Sequence, residues 1–336
     1  MPRPSPALAR ARTLRTSRSS PSCSRDRDVA TPAYDGRVTD RIARLDSGLS
    51  LAYETFGDPD DQTLLLVMGL GCPMNWWRTE FCESLADHGF HVVRYDSRDV
   101  GRSTRFDRAP VTRAQVVSTF TGLRRDVPYA MTDLAADAVG LLDALGVDAA
   151  HVVGQSMGGM VAQTVAVEHP DRLRSLTSIM STTGRRTVGW QHPRLLGMLL
   201  GAPGEGEEAY VRRSVRSARA ISSRQFALAP EAVEARARET YARGWSVEGT
   251  MRHMLAVMTQ PDRTRALASV AAPTLVIHGS ADPMVHPSGG RATAAAVPGA
   301  ELLMVPGMAH EIPVDLEGLF AASIARTARR AHAHAR

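Results

Sequence analysis

Six short, largely apolar runs, separated for the most part by stretches of helical period, constrain this chain more than any other feature. They are Leu64 to Met68, His91 to Tyr95, His151 to Val153, Leu176 to Met180, Thr274 to Ile277 and Leu302 to Val305. A continuous run such as Leu64-Leu65-Leu66-Val67-Met68 lacks the alternation of a half-exposed strand and fits one buried on both faces. Between the runs, Leu134, Ala138, Leu141, Leu142 and Leu145 recur at helical spacing, with Thr132 as expected N-cap and Gly146 as C′ glycine. Strand and helix in alternation require crossover connections, hence an α/β fold with a mostly parallel sheet and helices on both faces. Ahead of it, Arg41 to Leu45 and Leu49 to Tyr53 flank Asp46-Ser47-Gly48 and read as an antiparallel hairpin.

The alternation fails once. From Gly184 to Arg263 only helical patterns occur, at Glu205 to Ala220, Pro230 to Arg243 and Val247 to Met258. A helical block between two buried strands reads as an insertion capping the sheet. The expected organisation is a disordered basic tail over 1–36, a core built from 37–183 and 264–336, and a helical cap over 184–263.

Charge is unevenly spread. Residues 1–30 hold seven arginines and two aspartates, which accounts for the whole formal charge of +5 and leaves the remainder neutral. That argues against a nucleic-acid surface on the folded part, and for a disordered start or a transit peptide at the amino terminus. No run approaches the roughly 18 apolar residues a membrane helix needs. Three cysteines, Cys23, Cys72 and Cys82, cannot all pair within one chain, which favours free thiols and a cytoplasmic location. Oligomeric state is left open.

The strongest local signal is Gly154-Gln155-Ser156-Met157-Gly158, directly after the strand His151 to Val153 and before a helical stretch stopped by Pro170. A G-x-S-x-G sequence in that setting is a nucleophile elbow, with Ser156 on a tight turn that side chains at 154 and 158 would obstruct. A serine hydroxyl needs a base, and the base needs a group that fixes its tautomer. In sheets carrying such an elbow, the acid and then the histidine follow on loops after late strands. Asp282 follows the strand Thr274 to Ile277, and His310 follows Leu302 to Val305 and a Pro306-Gly307 turn. The competing histidines are placed less well: His278 is at a strand end, His286 is four residues from Asp282, and His332 and His334 are near the carboxyl end. Two backbone N–H groups should face the developing oxyanion. Met157, after the nucleophile, supplies one, and Leu70 the other, with Gly71 as second choice, from the loop Met68-Gly69-Leu70-Gly71.

The elbow, the contexts of Asp282 and His310, and the segment Arg94-Tyr95-Asp96-Ser97-Arg98-Asp99-Val100-Gly101-Arg102-Ser103 together resemble the α/β-hydrolase superfamily, over residues 38 to 325 apart from the cap. Met68-Gly69 in place of the commoner His-Gly, with Trp76-Trp77 following, resembles the group containing polyketide methylesterases. The resemblance implies a serine hydrolase that cleaves a carboxylic ester of a small to medium apolar substrate through an acyl-enzyme. Lactone, amide or carbon–carbon bond hydrolysis and perhydrolysis use the same constellation, and a non-catalytic receptor on the same fold is the reading from another class.

Methionines and tryptophans supply the candidate pocket. Gly71, Trp76, Trp190, Met254 and Met258 are expected to line it, with Trp77 and Trp245 further candidates. Asp96, Arg98, Asp99 and Arg102 read as a salt-bridged structural loop. No cofactor is implied, and no Cys/His set has metal-ligand spacing. The expected partner is a small-molecule ester.

Overall fold

The computed structural model describes residues 40–106, 111–120, 126–195 and 204–334. The tail expected over 1–36 lies outside these residues.

Eight strands form one sheet: β1 (Arg41–Arg44), β2 (Ser50–Phe56), β3 (Gln62–Val67), β4 (Phe90–Tyr95), β5 (Ala150–Gln155), β6 (Leu173–Ile179), β7 (Thr274–Gly279) and β8 (Glu301–Val305). Their spatial order is β1-β2-β4-β3-β5-β6-β7-β8. The hairpin pairs antiparallel, Arg41 opposite Tyr53 and Arg44 opposite Ser50, and β2 runs antiparallel to β4, while every other pair is parallel. The carboxyl ends of β3, β5, β7 and β8 therefore point the same way, at the edge where open α/β sheets bind ligands.

Helices α1 (Thr79–Ala86), α2 (Arg113–Phe120), α3 (Met131–Ala144) and α4 (Met157–Glu168) precede β6. The pleat of β3 shows how both faces are filled. Leu65 and Val67 join a cluster with Leu134, Leu142 and Val161 from α3 and α4. Leu64 and Leu66 join one on the opposite face with Phe81 and Leu85 of α1 and with Phe320 and Ile324 of the last helix. That two-sided burial is the physical reason for the unbroken apolar runs.

The start of α3 differs from expectation. Its N-cap is Ala130, two residues before Thr132, and the carboxylate of Asp133, the third helical residue, reaches back to accept the Ala130 N–H at 2.7 Å, the half of a capping box that needs no hydroxyl at the N-cap. Its other end is as expected, with Gly146 at φ +68° just past the helix.

Between β6 and β7 the described residues contain no strand. They hold α5 (Glu207–Ile221), α6 (Pro230–Ala242) and α7 (Val247–Thr259), and α8 (Ser288–Ala296) and α9 (Glu317–His334) complete the helices named here. The acidic and basic residues after β4 fasten this segment to the sheet. Arg243 bridges Asp40 at 2.7 Å and Asp96 at 3.0 Å, and Arg252 pairs with Asp99 at 2.7 Å. Arg98 is bound to Asp137 of α3, with one contact at 2.6 Å. Asp96, Asp99 and Asp137 are buried and the Asp40 side chain is nearly so, so each depends on its arginine. Removing one partner of a buried pair costs about 3 to 5 kcal/mol, because a desolvated charge is left alone.

No helix among the described residues is long and apolar enough to cross a membrane.

Candidate active site

Ser156 sits between β5 and α4 with φ +55° and ψ −116°. Such left-handed backbone is uncommon outside glycine and costs about 1 to 3 kcal/mol, held only where surrounding packing enforces it. Here β3 enforces it. A Cβ on Gly158 would lie 2.0 Å from the Val67 carbonyl oxygen, and one on Gly154 would lie 2.0 Å from that of Gly158. Any larger residue at either position would drive the turn away from the sheet.

Asp282, past the end of β7, and His310, on the loop after β8, meet at Ser156. His310 Nδ1 is 2.7 Å from Asp282 Oδ2, and His310 Nε2 is 3.0 Å from Ser156 Oγ. With the Nδ1–H donated to the carboxylate, Nε2 is free to accept from the serine hydroxyl. The other oxygen of Asp282 accepts the Met284 and Val285 N–H groups at 2.8 and 2.9 Å. Burial would raise the Asp282 carboxyl, but the charges and hydrogen bonds of His310 and His278 outweigh it and hold the group well below the usual carboxylate range. His278 is fully buried beside it, its Nε2 donating to the Val285 carbonyl at 2.8 Å and lying 3.5 Å from Asp282 Oδ2. The backbone N–H of His310 donates to the Ile221 carbonyl at 3.0 Å, tying the histidine loop to the end of α5.

The two expected oxyanion positions flank this chain. Neither the Leu70 nor the Met157 N–H has a hydrogen-bond partner among the described residues. The Gly71 N–H is committed, donating to Nδ1 of His253 at 3.1 Å. His253 Nε2 donates to the Arg98 carbonyl at 2.9 Å, which fixes the tautomer. Burial pushes the His253 imidazole down to about 4, against the pull of that carbonyl and of Asp99, so it is neutral near pH 7.

A cavity of about 370 Å³ opens beside these groups. His310, Leu70 and Gln155, the neighbour of Ser156, lie in its wall. Trp76, Trp77, Phe81, Tyr210, Phe226 and Trp245 supply most of the aromatic surface. Gly71 and Trp76 are thus wall residues, as expected. Trp190, Met254 and Met258 are not among the lining residues. Trp190 is 43% exposed and stacks on His286 with centroids 4.2 Å apart. Met254 and Met258 share a face of α7 with the lining residue Thr250, but stand one and two turns farther along.

Tyr210, Arg236, His253 and His278 are the site neighbours that the sequence did not single out for these positions. Tyr210 and Arg236 lie on amphipathic helices whose rotation about their axes only packing decides. His253 carries no motif, and its contact partner is 182 positions away. His278 had a signal, its place at the end of β7, but that placed it as a rival to His310 and not behind Asp282. Among the described residues no group of three or more His, Cys, Asp or Glu side chains could hold a metal ion.

The model of the alpha/beta hydrolase fold family matches residues 62–315, from β3 to beyond His310. The chain belongs to the alpha/beta hydrolase fold family. Among its relatives, rhodomycin D methylesterase DauP of Streptomyces sp. (strain C5) is 32% identical over 309 residues, covering 84% of this chain and 96% of the relative. Rhodomycin D methylesterase DnrP of Streptomyces peucetius is likewise 32% identical, over 305 residues, with the same coverage of 84% and 96%. The crystal structure of a hydrolase from Pseudomonas aeruginosa PA01 superposes with a TM-score of 0.64 at 25% identity, covering 86% of this chain and 98% of that one. The alpha/beta hydrolase assignment agrees with the resemblance drawn from the elbow and the late loops, and the methylesterase relatives agree with its narrower form.

Proposed function

We propose that this alpha/beta hydrolase is a serine esterase that cleaves a carboxylic ester of a small to medium, largely apolar substrate through an acyl-enzyme at Ser156. The observation that carries the reading is the unbroken chain from Asp282 through His310 to Ser156, at 2.7 and 3.0 Å. His310 Nε2 takes the hydroxyl proton as Oγ attacks the ester carbonyl, then returns it to the departing alcohol. Asp282 keeps the imidazole in the tautomer that can do this and stabilises the imidazolium. The N–H groups of Leu70 and Met157 receive the oxyanion, a role for which both are unoccupied. Water activated by His310 releases the acid and restores the serine.

The helices between β6 and β7 act in this reading as a cap over 184–263, set on a core of 37–183 and 264–336. Their residues Tyr210, Arg236 and Trp245 face the cavity and would select the substrate without doing chemistry. The methylesterase relatives favour a methyl ester, with the cavity receiving the acyl part. The unpaired thiols of Cys72 and Cys82 favour a cytoplasmic location, and the partner is the ester itself.

The deciding experiment is turnover of methyl and short-chain p-nitrophenyl esters together with labelling by a fluorophosphonate, each in the wild type and in Ser156→Ala. Ester cleavage and labelling, both lost in the variant, are expected. Labelling without turnover of any ester would point to another acyl chemistry, and absence of both would point to a receptor.

A further inference from the structure

We propose that Arg236 binds a carboxylate carried by the substrate away from the ester that is cleaved, so that the cavity selects an apolar acid monoester over its neutral counterpart. The inference rests on the esterase reading and deepens it by naming the second group of the substrate.

Arg236 lies on α6 in the cavity wall. Its guanidinium stands 4.2 Å over the ring of Trp76, which is itself held by an indole N–H donated to Thr240 Oγ1 at 3.0 Å. Stacking on an aromatic face fixes the plane of a guanidinium and leaves its edge donors unused, and those donors match a carboxylate two at a time.

What distinguishes Arg236 is the lack of any carboxylate or hydrogen-bond acceptor for it among the described residues. Arg236 is half-buried, and four other little-exposed arginines are paired with carboxylates. Arg94 is paired with Glu54, Arg98 with Asp137, Arg243 with Asp40 and Asp96, and Arg252 with Asp99. Arg263 has no carboxylate partner among the described residues either, but its Nη2 donates to the Thr182 carbonyl at 3.1 Å and the Gln260 side-chain oxygen at 3.0 Å, while its Nε and Nη1 have no partner. Burial weakens the hold of Arg236 on its proton and outweighs the opposing pull of Cys72, Tyr210 and Glu239, none of which forms an ion pair with it. A partly desolvated cation without a counter-charge is disfavoured, and the cost is relieved when an anion arrives.

The other charges of the cavity do not supply that anion. Glu317 is engaged by Arg78 at 3.5 Å, Arg78 also holds Glu80 at 3.1 Å, and the Glu311 carboxylate accepts the Ser223 N–H at 3.1 Å. Arg213, a second wall residue from α5, also has no carboxylate partner among the described residues. Arg236 and Arg213 are therefore wall cations without a carboxylate partner among the described residues, on a surface with a large aromatic and apolar share.

The test uses methyl benzoates that carry a para carboxylate on tethers of increasing length, each matched with its primary amide, and reads the ratio of kcat/KM for acid over amide. In the wild type this ratio should peak at one tether length and be carried by KM. In Arg236→Gln the ratio at that length should fall by about 10- to 100-fold, the loss expected for one charge-assisted hydrogen-bonded pair, and Arg236→Lys should restore part of it. A wild-type ratio near unity at every tether, or an equal loss on acids and amides in Arg236→Gln, would overturn the proposal, since a structural role weakens both alike. If none of the esters is cleaved, the esterase reading fails and calorimetry decides the anion site separately. The free diacids and their amides are titrated into wild type and Arg236→Gln, with loss of acid preference in the variant supporting the site and unchanged preference excluding it.

Discussion

The backbone N–H of Gly71 donates to Nδ1 of His253 at 3.1 Å across 182 positions of sequence. The contact joins the loop after β3, which presents the Leu70 N–H, to α7 in the segment between β6 and β7. The same imidazole holds the Arg98 carbonyl through Nε2, so one buried side chain fixes the loops after β3 and β4 together.

His253→Ala should therefore lower kcat on the order of 10²-fold by letting the Leu70 donor drift, since small misplacements of a catalytic group carry losses of that size. It should also destabilise the fold by leaving two backbone groups unpaired, about 1 to 3 kcal/mol for each. His253→Gln can donate and accept in similar places and should recover part of both losses. Steady-state kinetics with thermal unfolding measure the two effects, and an unchanged kcat in a folded His253→Ala protein would show that the loop holds itself.

Ser156→Ala should abolish ester cleavage while leaving the fold intact, and His310→Ala should be nearly as damaging. The combined variant should be no worse than either alone, because the pair acts as a unit. Asp282→Asn should reduce kcat by up to about 10⁴-fold with little change in substrate affinity, through the wrong imidazole tautomer. Losses that add in the double variant would separate Ser156 from His310.

Two buried groups make stability depend on pH in opposite directions. His253, ordinarily near 6.5 and pushed down to about 4, takes up its proton more readily unfolded, so its contribution is lost as pH falls from about 6.5 to 4. Glu317, ordinarily near 4.5, is pushed up to about 7 by burial despite Arg78. It holds its proton more tightly when folded, so its contribution is lost as pH rises from about 4.5 to 7. Relative to wild type, Glu317→Gln should gain Tm as pH rises through that window, and His253→Gln should regain Tm as pH falls. Difference curves from calorimetry that stay flat with pH would contradict both assignments.

Trp245→Ala and Tyr210→Ala should widen the preference for larger acyl groups, with apolar contacts worth about 1 to 3 kcal/mol per methylene. Trp190→Ala, outside the cavity wall and stacked on His286, should leave the size preference unchanged. An ester panel on the three variants separates wall from surface, and a shift in Trp190→Ala equal to that in Trp245→Ala would place the substrate elsewhere.

Much of this fold was legible in the chain because its signals are local. A strand buried on both faces must be apolar at every position, so β3 and β7 announced themselves, and the glycines at 154 and 158 are dictated by atoms 2.0 Å from where a Cβ would stand. Ser156, Asp282 and His310 were named from their positions after strands, and the structure brings them within hydrogen-bond distance. The helix starts ahead of the expected Thr132, at Ala130, where Asp133, two residues beyond the first helical position, reaches back to the Ala130 N–H, a contact that a search for a capping hydroxyl does not register.

By itself, the sequence determined the alternation of strands and helices, the elbow at Ser156 and the order in which the acid and histidine follow it, since each depends on neighbours a few residues away. Only the tertiary structure decided which residues between β6 and β7 meet the cavity. Helical periodicity shows that a face exists, but not which way packing turns it. Tyr210 and Arg236 line the wall from α5 and α6 and Trp245 from the connection between α6 and α7, whereas Met254 and Met258 share the Thr250 face of α7 but lie farther along it, and Trp190 lies outside the wall. Tertiary structure likewise set His253 under the loop of Leu70 and Gly71, because hydrogen bonds between residues far apart are fixed by how the sheet brings its loops together and leave no mark on either local sequence.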